Sequence, residues 1–184
     1  MNFSIQPSLE NEKLKLIPLQ ENDFERLFEV ASDPKIWEQH PNKNRYQKEI
    51  FKNFFAGAVQ SGGAFLVLEK ATNEIAGSTR FYDFNEEENS IFIGYTFYGI
   101  KFWGKGLNSN AKKLMLDYIF QFVDKVIFHV GAENFRSQKA MEKLGAIKTG
   151  EIVVAYFGEP DRLNVQYEIN KENWTKKNEE FMKD

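Results

Sequence analysis

A chain of 184 residues that is 42% apolar and 15% aromatic has ample material for a packed core. Its net charge of −3 gives no electrostatic case for nucleic acid as a partner, and the absence of cysteine excludes disulfides and thiolate chemistry. Two histidines argue against a histidine-rich metal site, and no window is apolar enough to span a bilayer. With no basic stretch leading into an apolar run at Met1–Pro7, a cytoplasmic protein without membrane contact is expected.

In chain order, Lys13–Leu19 alternates and suits a first strand. Asn22 or Asp23 caps a helix whose stripe is Phe24, Leu27, Phe28 and Ala31, and Asp33-Pro34 ends it. A second helix is predicted from about Lys43 to Gln60, with Tyr46, Ile50, Phe54, Phe55 and Ala58 on one side and Gly62-Gly63 as its stop. Strands follow at Ala64–Glu69, Ile75–Phe84 and from Ser90, the last entered through the Glu-rich connection Asn85–Asn89. These three pair antiparallel.

The pattern changes at Leu107. Ala111, Leu114, Met115, Tyr118 and Phe122 form an apolar helical face, with Lys112, Lys113 and Gln121 placed opposite. Lys125–Val130 is apolar on both faces, as in the parallel part of a sheet, so the strand–helix–strand unit is a right-handed crossover. Asn134-Phe135-Arg136-Ser137 opens a helix that packs Ala140, Met141 and Leu144 and ends at Gly145. Ile147–Phe157 and Leu163–Ile169 make a closing hairpin, and a charged tail, 171–184, is anchored by Trp174 and Phe181. No repeat or linker divides the chain, so residues 1–184 read as one domain.

The chemically informative stretch is Ser90–Asn110. A strand feeds a turn holding Gly104 and Gly106 and then a helix N-terminus, where main-chain N–H groups lack internal partners and the helix dipole favours an anion. Lys101 and Lys105 add charge, and the group best suited to such a turn is a pyrophosphate. Gly99–Lys105 also fits the Gly-x-x-x-x-Gly-Lys phosphate loop of nucleotide hydrolases, but Gly106 stands where Ser or Thr must hold magnesium. The strand from Val126 ends in Val130-Gly131, without the acidic residue that a hydrolase needs for its metal.

Ile93-Gly94-Tyr95, Trp103-Gly104-Lys105-Gly106, Asn134-x-x-Ser137 and Glu142-Lys143-Leu144-Gly145-Ala146, in this order, resemble the GCN5-related N-acetyltransferase (GNAT) superfamily, in the branch similar to ribosomal-protein-alanine acetyltransferases. The resemblance covers about Leu14 to Ile169 and implies an α/β (α+β) fold. Its central sheet would be mixed, of about seven strands, with splayed parallel strands 4 and 5 and helices on both faces. It implies acetyl-CoA as co-substrate, no metal, and transfer of the acetyl group to a primary amine of a peptide N-terminus or small molecule.

Position by position, the resemblance implies that main-chain amides from Phe102 through Trp103, Gly104, Lys105, Gly106 and Leu107 to Asn108 wrap the pyrophosphate. Backbone around Phe97 and Tyr98 would pair with the pantetheine arm, Asn134 would hydrogen-bond that arm, and Ser137 would sit near the thioester sulfur. Lys101 departs from the family's Gln or Arg but keeps a charge. Met141 stands where some relatives carry a proton-donating Tyr, which leaves Ser137 and then Tyr95 as candidate acids. His129 occupies the place of a catalytic Glu in some relatives and is a candidate base, with Glu133 next. A core role for His129, and a binding module that keeps the acetyl-CoA site without transfer, stand beside these readings. The acceptor would lie near Trp37, Tyr82, Tyr156, Phe157 and Arg162, with Glu86–Glu88 able to attract a cation. The aromatic excess is of the kind that a homodimer would cover.

Overall fold

Eight strands form one sheet in the computed structural model, which describes residues 3–156 and 158–181. They are β1 (Leu9–Glu10), β2 (Leu14–Pro18), β3 (Ala64–Glu69), β4 (Glu74–Asn85), β5 (Ser90–Tyr98), β6 (Lys125–Gly131), β7 (Ile147–Val154) and β8 (Arg162–Asn170). Their spatial order is β1-β2-β3-β4-β5-β6-β8-β7. Every neighbouring pair is antiparallel except β5 and β6, the parallel pair joined by a helical crossover. Two-residue β1 adds one strand to the seven expected, so the parallel strands 4 and 5 of the family's scheme are β5 and β6 here.

The helices are α1 (Phe24–Ala31), α2 (Pro34–Trp37), α3 (Lys48–Gln60), α4 (Leu107–Ile119), α5 (Phe135–Leu144) and α6 (Lys171–Phe181). Strand alternation divides the core into two layers. Ala64 and Leu66 of β3 pack with α1–α3, whereas Phe65 and Val67 face the other way with α4. The first layer is aromatic: Phe51 is fully buried, with ring centroids 5.4 Å from Phe54 and 6.1 Å from Phe97. Each such side chain contributes about 2–3 kcal/mol through removal from water.

Four expectations change. Residues 43–47 form turns rather than the first turn of α3, because Arg45 is drawn inward to a carboxylate far along the chain. The buried stripe of α3 is Phe51, Phe54, Phe55 and Ala58, with Ile50 at its margin. On α4, Phe122 lies beyond the helix end and is 38% exposed, stacking on Phe3 at 4.7 Å, while Lys112, placed on the solvent face by its charge, is buried. Trp174 anchors α6 by donating its indole N–H to Asp117 at 2.9 Å. Phe157 and the side chain of Phe181 lie outside the described residues.

Candidate active site

β5 runs beside β4 along most of its length but pairs with β6 only at Ser90–Lys125, Ile91–Val126 and Phe92–Ile127. Beyond Phe92 the parallel strands part, and among the described residues the β5 main chain from Ile93 to Tyr98 has no strand partner on that side. A bulge lies in the same stretch on the other side. Ser78 opposes Phe97 and Arg80 opposes Gly94, so Thr79 faces two residues, Tyr95 and Thr96. Tyr95 takes φ +51°, a left-handed conformation rare for an aromatic residue. A cleft of about 600 Å³ opens at this split.

One end of the cleft is the glycine turn. A 3-10 turn at Ile100–Phe102 leads to Gly104 and Gly106, both at φ +75°, where an added Cβ would strain the backbone. Gly106 is the N-cap of α4 and offers no side chain to its first turn, so those N–H groups stay available. The turn is anchored from within: Phe102 and Leu107 are buried, and the Trp103 indole donates to the Tyr98 carbonyl at 2.9 Å. The Asn108 side-chain oxygen is buried without a hydrogen-bond partner among the described residues.

The lysines assigned to the anion are committed elsewhere. Lys101 Nζ donates to Glu74 at 2.5 Å and Lys105 Nζ to Glu69 at 3.1 Å; the Thr72 and Lys105 hydrogen bonds lower the Glu69 pKa, and the Lys101 hydrogen bond lowers that of Glu74. Neither lysine lines the cleft; Lys112, Lys113 and Lys143 do. Phe97, Tyr98, Tyr95, His129, Asn134, Ser137 and the turn from Phe102 to Asn108, Lys105 excepted, all line it.

α5 forms the opposite wall. Asn134 is buried and caps the helix, its side-chain oxygen accepting from the Ser137 N–H at 3.1 Å. Its amide nitrogen makes no hydrogen bond among the described residues, and Asn134 lines the cleft. Arg136 lies over the Trp103 ring at 4.0 Å and donates to the Ile36 carbonyl at 3.3 Å, joining the two walls. Met141 is buried in the core and supplies no proton.

Beyond the bulge the cleft becomes aromatic. The Tyr95 ring stands 5.0 Å from Tyr82 and 5.5 Å from Tyr156, with the Arg80 guanidinium 3.8 Å over its face. Burial raises the pKa of all three phenols, Tyr156 to about 12, so they remain neutral donors. His129 Nε2 meets Gln166 Oε1 at 3.2 Å, and Gln166 donates its amide N–H to Glu168 at 3.0 Å. Gln166 Oε1 is thus the acceptor, His129 carries its proton on Nε2, and Nδ1 holds a lone pair. Burial lowers the His129 pKa, so the ring is neutral near pH 7.

The other candidate base, Glu133, is exposed, pairs with Lys43 at 3.2 Å and lies off the cleft. Two expected acceptor contacts are also elsewhere: Trp37 is fully buried between α2 and the sheet, and Arg162 donates to the Pro41 carbonyl at 3.0 Å. Beneath the aromatic end, Arg45 and Glu159 form an ion pair at 2.5 Å, with both side chains at most 5% exposed. Asn42 adds a short hydrogen bond to the same carboxylate.

Comparisons with known proteins agree with this architecture. The chain is 27% identical over 150 residues to an uncharacterized N-acetyltransferase, p20, of Bacillus licheniformis, covering 78% of this chain and 84% of that one. A GNAT-family acetyltransferase structure from Bacillus anthracis superposes with TM-score 0.73 at 24% identity, over 90% of this chain and 99% of that one. A spermidine N-acetyltransferase from Vibrio cholerae, solved with CoA and spermine, gives TM-score 0.68 at 18% identity over 90% and 99%. These structures share the fold. The acetyltransferase (GNAT) domain model matches residues 13–147, and on that match the chain belongs to the GNAT family of acetyltransferases.

Proposed function

We propose that the chain moves the acetyl group of acetyl-CoA to a primary amine by direct attack with both substrates bound together. The observation that carries this is the continuity of the cleft, which reaches from the glycine turn through the bulge to Tyr82, Tyr156 and His129. Direct transfer needs both ligands in one space. Acetyl-CoA supplies an activated acyl carbon: the amine nitrogen bonds to it, the carbon–sulfur bond breaks, and the sulfur leaves with the electron pair and takes a proton.

The chain's residues fit that use. First-turn amides of α4 and those from Phe102 to Asn108 suit a diphosphate, and unpaired β5 backbone near Phe97 and Tyr98 suits an amide-bearing arm. Asn134 offers a free amide N–H to the same arm. Ser137, at the start of α5, is the hydroxyl suited to hydrogen-bond the departing sulfur, with the Tyr95 phenol second. Neutral His129, through Nδ1 and a water, would take the proton of the attacking ammonium. A lysine-type amine, with pKa about 10.4, needs that help more than an N-terminal amine at about 8.

The acceptor class follows from what surrounds the aromatic end. Among the described residues lining the cleft there is no carboxylate to hold the further ammonium groups of a polyamine. That supports a peptide N-terminus or a small monoamine, in keeping with the ribosomal-protein-alanine branch. The test is thiol release from acetyl-CoA with peptides, monoamines and spermidine as acceptors. Turnover with a peptide or monoamine that falls at least tenfold in Ser137→Ala or His129→Gln fits the proposal; turnover with spermidine alone contradicts it.

A further inference from the structure

Lys112 is the cleft residue whose chemistry the preceding reading leaves unused. It is 3% exposed, on α4 about one and a half turns from the glycine turn, and its side chain runs to the bulge rather than to water. Nζ donates to Thr79 Oγ1 of β4 at 3.0 Å and to Thr96 Oγ1 of β5 at 2.7 Å. The two hydroxyls are 2.8 Å apart. The ammonium therefore ties together both strands at the point where Thr79 faces two residues. An ammonium has three N–H donors. Only two have partners among the described residues, and no carboxylate there forms an ion pair with it.

A buried, unpaired cation is costly and persists where something offsets it. Here Lys112 and Thr96 both line the cleft, beside the stretch of β5 that lacks a strand partner. A ligand arm laid along that stretch would bring amide and acyl oxygens past the third N–H. We propose that Lys112 binds an oxygen of the acyl-pantetheine arm with this N–H while clamping the bulge through Thr79 and Thr96, so that it aligns the β5 main-chain donors with the arm. This assignment rests on the acetyl-CoA reading.

The test separates arm from phosphates. Calorimetry at pH 6, where folded Lys112 keeps its proton, would compare CoA with 3′-phospho-ADP, which keeps the diphosphate and lacks the arm, on wild type and Lys112→Met. Loss of one charged hydrogen bond predicts roughly tenfold to a hundredfold weaker CoA binding, with 3′-phospho-ADP affinity unchanged. Thr96→Val, which retains the ammonium but frees it from β5, should weaken CoA by a smaller factor and lower kcat more than it raises KM. Equal weakening of both ligands by Lys112→Met would make Lys112 a phosphate contact and overturn the assignment. Unchanged binding of both would reduce it to a tether of α4 and overturn it equally. If wild type bound neither ligand, the acetyl-CoA reading itself would fall and the assignment with it. A Lys112→Met protein that does not fold shifts the decision to Thr96→Val: unchanged CoA affinity and kcat there overturn the clamp.

Discussion

Replacing Lys112 by Met should make stability less dependent on pH, by an amount that its burial sets. Desolvation pushes the ammonium from an ordinary 10.5 down to about 7. The unfolded chain thus holds a proton on this group, between about pH 7 and 10.5, that the folded chain has released. Stability rises with pH wherever the unfolded state binds more protons, so this group destabilises most below pH 7 and least above 10.5. Between pH 7 and 9.5 the change amounts to about 3 kcal/mol, at about 1.4 kcal/mol per unit. Tyr82, Tyr95, Tyr98 and Tyr156, whose pKa values burial raises, act in the opposite direction near pH 10, but they are common to both proteins and cancel in the difference. Urea denaturation at pH 7.0, 8.5 and 9.5 measures it. Wild type should gain on Lys112→Met by about 3 kcal/mol across that range. Parallel stability curves would mean that the ammonium is solvated or paired, and the reasoning from burial would fail.

Other substitutions probe the walls of the cleft. Gly104→Ala meets no atom within 4 Å, so its cost is that of φ +75° alone, about 1–2 kcal/mol, read by thermal melting together with weaker CoA binding. An unchanged melt would show that the turn relaxes to another conformation. Glu159→Ala leaves the Arg45 guanidinium buried without its carboxylate and should cost about 3–5 kcal/mol in urea; a loss under about 1 kcal/mol would place the pair in solvent. Asn134→Ala removes the α5 cap, about 1 kcal/mol, and should weaken CoA beyond its effect on 3′-phospho-ADP. Equal loss of both ligands would remove Asn134 from the arm.

Much of the frame was legible because local pattern and tertiary role coincide. Ala64–Glu69 alternates between two core layers, Gly104 and Gly106 precede a helix because both need positive φ, and Asn134 caps the helix that it begins. What escaped depends on residues distant in sequence. Arg45 finds Glu159 across 114 positions and unwinds the start of the predicted helix, which no local propensity reports. Lys101 and Lys105 read as anion ligands until the β3–β4 hairpin brings Glu74 and Glu69 to them. Charge alone places Lys112 toward solvent. Its place three residues before Met115 and four before Leu116, both buried, was the available signal that it faces inward.

The central claim is that the split between β5 and β6 holds acetyl-CoA with its diphosphate on the turn from Phe102 to Asn108. Isothermal titration of the full chain with acetyl-CoA, repeated on Gly106→Ala, tests it most directly. The account predicts one site per chain and clearly weaker binding once the left-handed N-cap is strained. An absence of heat at saturating acetyl-CoA, or equal affinity in the two proteins, would contradict it.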